Sequence, residues 1–386
     1  MNWEIGQALF CLILIITTLF TNCSIAQSYY KVNHFKPEKY QAGNQNWDIS
    51  LDDNGIVYMA NNKGLLVLKG TESKLYEIPT KMILRSVFSH EGRIYTGSFE
   101  EFGYWKQEGQ ENLIYHSLSQ NIDPEVISNQ EFWKIKLHEN KLYFQSFGSL
   151  FCLNPETDEL IQLETPGSIL FLLDCGERLF VQQIGGMLFE LIRDEFVPLK
   201  NSDILSATEV KTAVWLSPRE ILFGTSSMGL FVFDDSSIKP FQSEANELLK
   251  TGTLNNGMSI GNRLIFGTIA QGLFVLRKDG TIENHLNGPN VLQNNTILSL
   301  ASDQDDNLWV GLDKGIDFIW FGSPFENYLA PDIDIGSVYA AALYKNQLYI
   351  GTNQGIYTFQ LNKSGTFDQA KFVNNSQGLV WFIRVI

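Results

Sequence analysis

Asp306-Asn-Leu-Trp-Val-Gly311-Leu-Asp-Lys-Gly315-Ile-Asp317 carries the pattern on which the fold turns. It reads as a polar turn, an apolar-aromatic pair, a small residue, a second turn ending in Gly, and an apolar run. The same order returns in Asn262-Arg-Leu-Ile-Phe-Gly267-Thr-Ile-Ala-Gln-Gly272-Leu-Phe274 and in Asn346-Gln-Leu-Tyr-Ile-Gly351-Thr-Asn-Gln-Gly355-Ile-Tyr357. A further copy spans residues 220–231, and more worn ones span 55–66, 92–105, 140–151 and 177–189, making eight.

Aligned on the small residue, the copies place Ala60, Gly97, Gln145, Gln182, Gly224, Gly267, Gly311 and Gly351 in one slot, with spacings from 37 to 48 residues. Each unit holds short β-branched or aromatic runs between Gly, Asn and Asp turns, which is strand and hairpin grammar without a helical period. A repeat of about 40–45 residues holding about four strands marks a β-propeller. The expected fold is therefore all-β: a seven-bladed propeller over residues 27–330, then from 331 to 386 the first blade of a second, incomplete propeller.

Within a unit, strand A precedes the first turn, strand B carries the aromatic pair, strand C follows the Gly and strand D is the weak outer run. The small slot on strand B suits a position where neighbouring blades approach closely, and the Gly ending the B–C turn suits positive φ. The alternating segment Tyr30-Lys-Val-Asn-His-Phe35 is expected to supply an outer strand that closes the ring. Gln377-Gly-Leu-Val-Trp-Phe-Ile-Arg-Val-Ile386 resembles the start of another strand A, so the chain reads as part of something longer.

Hydrophobic residues make up 44% and charged residues 18%, which excludes a disordered or fibrous chain. Acidic residues outnumber basic ones 43 to 28, for a net charge of −15 with no Lys/Arg cluster, so this segment is not expected to bind nucleic acid. Residues 8–20 form an apolar run of 13, too short to span a membrane, followed by Ser24-Ile25-Ala26. Residues 1–26 thus read as a signal peptide that sends the mature chain to the periplasm. Cys23 offers a lipidation alternative, although Asn22 before it is not the small residue a lipobox needs. Past residue 26 only Cys152 and Cys175 remain, so no disulfide framework is expected and both are read as unpaired core thiols.

No nucleophile, phosphate-loop or dinucleotide motif is present, and the five histidines lack metal-ligand spacing. Asp303-Gln-Asp-Asp-Asn307 imitates half a calcium loop. It has Leu308 where the loop needs Gly and Lys314 where it needs an acid, and its place in the repeat makes it an A–B turn. The chain is read as non-enzymatic, with no cofactor and no metal. Candidate ligand-binding residues are Asn44, Asn46, Trp47, Glu131 and Trp133, at the starts of strands A on the top face. Aromatics beside amides and carboxylates suit polar rings, while repeated aromatics also commonly fill repeated core positions. Glu100, Glu101 and Trp105 form a second top-face group, with a solvated surface as the alternative.

The Leu308-Trp-Val-Gly311…Gly315 unit resembles the two-component-regulator propeller repeat. Ala42-Gly-Asn-Gln-Asn-Trp47, Phe99-Glu-Glu-Phe-Gly-Tyr-Trp105, Glu131-Phe-Trp133 and Ile350-Gly-Thr-Asn-Gln-Gly355 resemble the sensor half of LuxR-type helix-turn-helix regulators with a triple-tyrosine domain. Hybrid two-component sensors share that outer half. The resemblance implies a periplasmic sensing region, attached to the inner membrane only through a downstream segment, whose output module lies outside this chain and whose full-length parent can form a homodimer. A small molecule, an oligosaccharide or a protein at the top face is the implied partner. A propeller enzyme acting on a carbohydrate, and a structural dimerisation scaffold, are the alternatives.

Overall fold

A computed structural model of the chain describes residues 30–109, 112–288, 291–322, 334–361 and 370–385. The signal-peptide reading of residues 1–26 lies outside the described residues. Two compact units are present: Lys31–Ser323, and a second that contains residues 324–386.

Among the described residues, the first unit holds seven four-stranded antiparallel sheets. Sheets 1 to 6 are each built from consecutive strands, within residues 46–76, 86–117, 134–163, 169–198, 210–240 and 254–286. Sheet 7 takes Ile297–Ser302, Leu308–Leu312 and Ile316–Trp320, and its fourth strand is Lys31–Phe35 from the other end of the unit. That strand pairs antiparallel from Lys31 opposite Trp320 to Phe35 opposite Ile316, as the alternating pattern of residues 30–35 led us to expect. First strands of successive sheets pack side by side, and Ile297–Ser302 of sheet 7 packs against Asn46–Leu51 of sheet 1, which closes the cycle.

Strands here bury both faces where neighbouring sheets sandwich them, which explains their continuous apolar runs. Val57–Asn61 is buried throughout, whereas the outer strand Glu72–Tyr76 is largely exposed. The core consists of seams between sheets. Between sheets 5 and 6, Leu222, Leu254, Phe266 and Phe274 are all fully buried in one cluster, each worth roughly 1.5–3 kcal/mol of transfer free energy.

A close approach at the small slot sets the seam width. A Cβ on Gly311 of sheet 7 would lie 2.6 Å from the Asn46 carbonyl oxygen of sheet 1, and one on Gly97 of sheet 2 would lie 2.7 Å from Phe132 Cβ beside sheet 3. On sheets 2, 5, 6 and 7 the residue opposite the slot latches the same seam. Ser86 Oγ donates to the Phe132 carbonyl (2.9 Å), Thr212 Oγ1 to Gly257 (2.7 Å), Asn256 Nδ2 to Leu298 (2.6 Å) and Ser299 Oγ to Asn46 (3.0 Å). Sheet 4 fills its slot with Gln182, whose Nε2 donates to the Leu205 and Thr208 carbonyls and whose Oε1 accepts from Val210 N. Sheet 3 departs from both rules, with Gln145 in the slot and Lys134 opposite it.

The A–B turn at residues 303–307 is an Asx turn: Asp303 Oδ1 accepts from the backbone N–H groups of Asp305 (2.9 Å) and Asn307 (2.8 Å). Its carboxylate is committed to the turn, as the repeat alignment implied.

Among its described residues the second unit contributes one four-stranded sheet, Val338–Tyr344, Gln347–Thr352, Ile356–Gln360 and Lys371–Phe372. Val380 N donates to the Thr352 carbonyl, and Val380 lies against the Gly351 slot, although residues 379–385 form no strand. Trp381 packs on Tyr339 with ring centroids 4.9 Å apart and stays largely exposed.

Candidate functional site

The residues just before the slot partners Asp48, Ser86, Lys134 and Thr212 are Trp47, Arg85, Trp133 and Lys211. Identical register on sheets 1, 2, 3 and 5 brings them into one belt. The Arg85 guanidinium carbon lies 4.1 Å from the Trp47 ring centroid and 4.6 Å from that of Trp133. The two indoles meet edge to face at 6.1 Å. Trp133 then stacks on Phe147 (5.9 Å) and meets Phe171 edge-on (6.2 Å), and Lys211 Nζ stands 4.9 Å from the Phe171 ring. Cation and ring alternate along the belt, an arrangement favoured by the negative face of each aromatic system.

Arg85 is fixed by more than its stacking. Its Nε donates to Glu131 Oε1 at 2.6 Å, and both side chains are largely buried. Trp47 Nε1 donates to Asn62 Oδ1 (2.7 Å), and Asn62 in turn donates to Gln45. Arg85 Nη1 and Trp133 Nε1 are buried without a hydrogen-bond partner.

A pocket of about 310 Å³ opens beside this belt, with Phe99, Glu131, Trp133, Phe147 and Ile184 among its walls. Phe99, Phe147 and Ile184 are exposed apolar side chains, while Asn129, Gln130 and Ser168 add polar groups at the same opening. Pairing of Phe99 with Glu131, and of Glu100 N with the Gln130 carbonyl, holds residues 129–132 against sheet 2.

The sequence-selected residues divide accordingly. Glu131 and Trp133 line the pocket, and Trp47 stands behind Arg85 as its second aromatic face. Asn46 is fully buried and structural: its Nδ2 donates to the Gly315 carbonyl (3.0 Å) and its Oδ1 accepts from Asn61 (2.9 Å). Asn44 is exposed, and its backbone carbonyl accepts from Gly315 N. Trp105 is a core residue, donating to Thr96 and packed on Tyr76 and Tyr115. Glu101 accepts from Tyr115 and Ser117, and Glu100 accepts from Asn129 N. Arg85, Phe99, Phe147 and Lys211 were missed. Aligning on the slot's cross-strand neighbour, rather than on tryptophan, would have put Arg85 and Lys211 beside Trp47 and Trp133.

Cys152 and Cys175 are buried and unpaired. Burial, reinforced by Asp194 beside Cys152 and Asp174 beside Cys175, pushes their thiols up to about 11 and about 12. Among the described residues no helix is long and apolar enough to cross a membrane.

Residues 291–314 match the family described as two component regulator propeller. None of the curated proteins matches the sequence significantly. In three dimensions the chain resembles the extracellular domain of a B. thetaiotaomicron protein described as a hybrid two component system, with a TM-score of 0.65 at 17% identity over 92% of this chain and 50% of that one. A second such extracellular domain from the same organism gives 0.59 at 16% identity, over 89% and 47%. Virginiamycin B lyase from Staphylococcus aureus gives 0.58 at 12% identity, over 75% of this chain and 99% of the lyase. The chain spans about half the length of the extracellular domains it matches, and the likeness at these identities is one of fold: an all-β, propeller-type architecture that carries a two component regulator propeller repeat.

Proposed function

We propose that this chain is the periplasmic ligand- or partner-sensing region of a membrane-spanning transcriptional regulator, acting by recognition and not by catalysis. In this reading residues 27–330 are a seven-bladed propeller, residues 331–386 begin a second, and residues 1–26 are a removed leader. The output module belongs to a part of the parent outside this chain, and the parent is a LuxR-type regulator with a triple-tyrosine domain. The likeness to extracellular domains of hybrid two component systems and the family match at residues 291–314 support it.

The observation that carries the reading is the pocket beside Trp133. An aromatic floor backed by a clamped guanidinium, rimmed by exposed Phe99 and Phe147 and by the Glu131 carboxylate, suits a neutral polar ring or a short peptide. Loops on a closed ring are rigid enough that occupancy can bias an attached domain by differential binding. Calorimetric titration with neutral oligosaccharides and uncharged peptides is the test, repeated with Trp133→Ala and Phe147→Ala. Saturable binding that both substitutions weaken about tenfold or more is expected. Equal affinity in both variants would remove the pocket, and turnover of a bound compound would remove the non-catalytic reading.

A further inference from the structure

Sheets 1, 3, 4, 5, 6 and 7 contribute residues to a cavity of about 300 Å³, whose walls carry Lys134, Lys136 and Lys211 against Asp48 and Asp174. In a chain of net charge −15, this lining holds three lysines against two aspartates. Lys134 has only a long contact to Asp48 (3.9 Å), and Lys211 pairs with Glu209 (2.6 Å). Lys136 makes no ion pair among the described residues.

At this cavity the repeat is interrupted on sheets 1 and 3, where Asp48 and Lys134 stand opposite the slot. On sheets 2, 5, 6 and 7 the residue opposite the slot is a Ser, Thr or Asn that latches a carbonyl of the next sheet. On sheet 3 that residue is Lys134, and its slot partner is Gln145. Gln145 is fully buried, and neither its Nε2 nor its Oε1 has a partner, whereas Gln182 in the same slot of sheet 4 uses both. The difference lies in the next strand: Ile169 N, which could have served Gln145, donates instead to the Phe147 carbonyl. Antiparallel register puts Lys134, Lys136 and Gln145 on one face. Burial pushes Lys134 down from its ordinary value despite Asp48, so its charge is held at a cost. Sequences break their own structural rule where function requires it, and a buried polar group without a partner is expensive to keep.

We propose that the central cavity binds a small oxyanion, a carboxylate or a phosphate, held by Lys134, Lys136 and Lys211. An oxyanion supplies acceptors to a face with surplus donors, and it would compensate the Lys134 charge that Asp48 meets only at long range. The site is distinct from the Trp133 pocket and stands or falls without the sensing reading, because its test uses anions and reads the cavity lysines.

Calorimetry of the full chain at low ionic strength with inorganic phosphate, succinate and citrate provides that test. Saturable binding of at least one is expected, weakened about tenfold or more by Lys136→Met and by Lys211→Met, strengthened by Asp48→Asn and unchanged by Lys239→Gln on the exposed surface. Which probe binds assigns carboxylate or phosphate. Thermal unfolding of each variant establishes that it is folded before its titration is read. No saturable heat from any of the three, or equal affinity in folded Lys136→Met and Lys211→Met, would overturn the proposal.

Discussion

The Ser299 hydroxyl donates to the Asn46 carbonyl at 3.0 Å, across 253 residues of sequence. This bond closes the cycle of sheets, and it sits where Gly311 leaves no room for a side chain, since a Cβ there would lie 2.1 Å from Ser299 Oγ and 2.6 Å from the Asn46 carbonyl. Gly311→Ala should therefore destabilise the unit by about 1–3 kcal/mol through overpacking. Gly322→Ala, whose nearest neighbour would be 3.4 Å away, should be close to neutral. Urea unfolding of both variants measures the contrast, and equal midpoints would show that the seam can widen freely.

The closing strand carries a titrating contact. His34 Nδ1 lies 2.6 Å from the buried Asp317 carboxylate, and this hydrogen bond raises the His34 pKa against the opposing effects of burial and Lys36. A raised imidazole contributes its stability in full below the unfolded value near 6.5, and loses it as pH rises through the folded value. Because His34 is about one-third exposed, the contribution should stay below about 1 kcal/mol. Thermal unfolding from mildly acidic to mildly alkaline pH should show stability falling with pH, and His34→Gln should flatten that slope.

Arg85 ties three sheets together through Trp47, Trp133 and Glu131. Arg85→Met keeps much of the stem volume while removing the charge, and it leaves Glu131 unpaired beside the pocket. A loss of about 1–3 kcal/mol is expected. A shift in tryptophan emission should accompany it as two indoles lose their cation, and an unchanged spectrum would mean that the stack does not persist in solution.

The repeat was readable because its slot is enforced by the close approach of the next sheet: a side chain at Gly97, Gly267 or Gly311 would strike Phe132, Ile297 or Asn46. The latches were less visible, because Ser86, Thr212, Asn256 and Ser299 share a geometry rather than a residue type. The belt was half-visible for the same reason. Tryptophan drew attention to positions 47 and 133, while Arg85 and Lys211 hold the same register with a different chemistry. Asn46 misled because an amide before an aromatic looks like a binding pair, and only the fold shows its amide spent on Gly315 and Asn61.

The thiols give a direct probe of local opening. Cys152 and Cys175, pushed up to about 11 and about 12 inside buried seams, should stay protonated and inaccessible at pH 8. A thiol-reactive dye should label neither in native protein within minutes, and both at once through the urea transition. Early labelling of one alone would locate a seam that opens independently.

The two units should differ in autonomy. Residues 31–323 close their own cycle, with strand Lys31–Phe35 completing sheet 7 and a latch at the junction with sheet 1. Among the described residues, the sheet of residues 338–372 exposes Val338, Tyr339, Leu343 and Tyr344 along its first strand, where every equivalent strand of the first unit is flanked by neighbours. A sheet whose first strand leaves that much apolar surface exposed lacks the burial needed for independent stability. A polypeptide of residues 30–323 should therefore unfold in one cooperative transition with the midpoint of the full chain. Residues 324–386 alone should show no cooperative transition and should associate as concentration rises. Calorimetry and sedimentation of the two pieces decide the matter, and a cooperative, monomeric transition in the shorter piece would contradict the argument from burial.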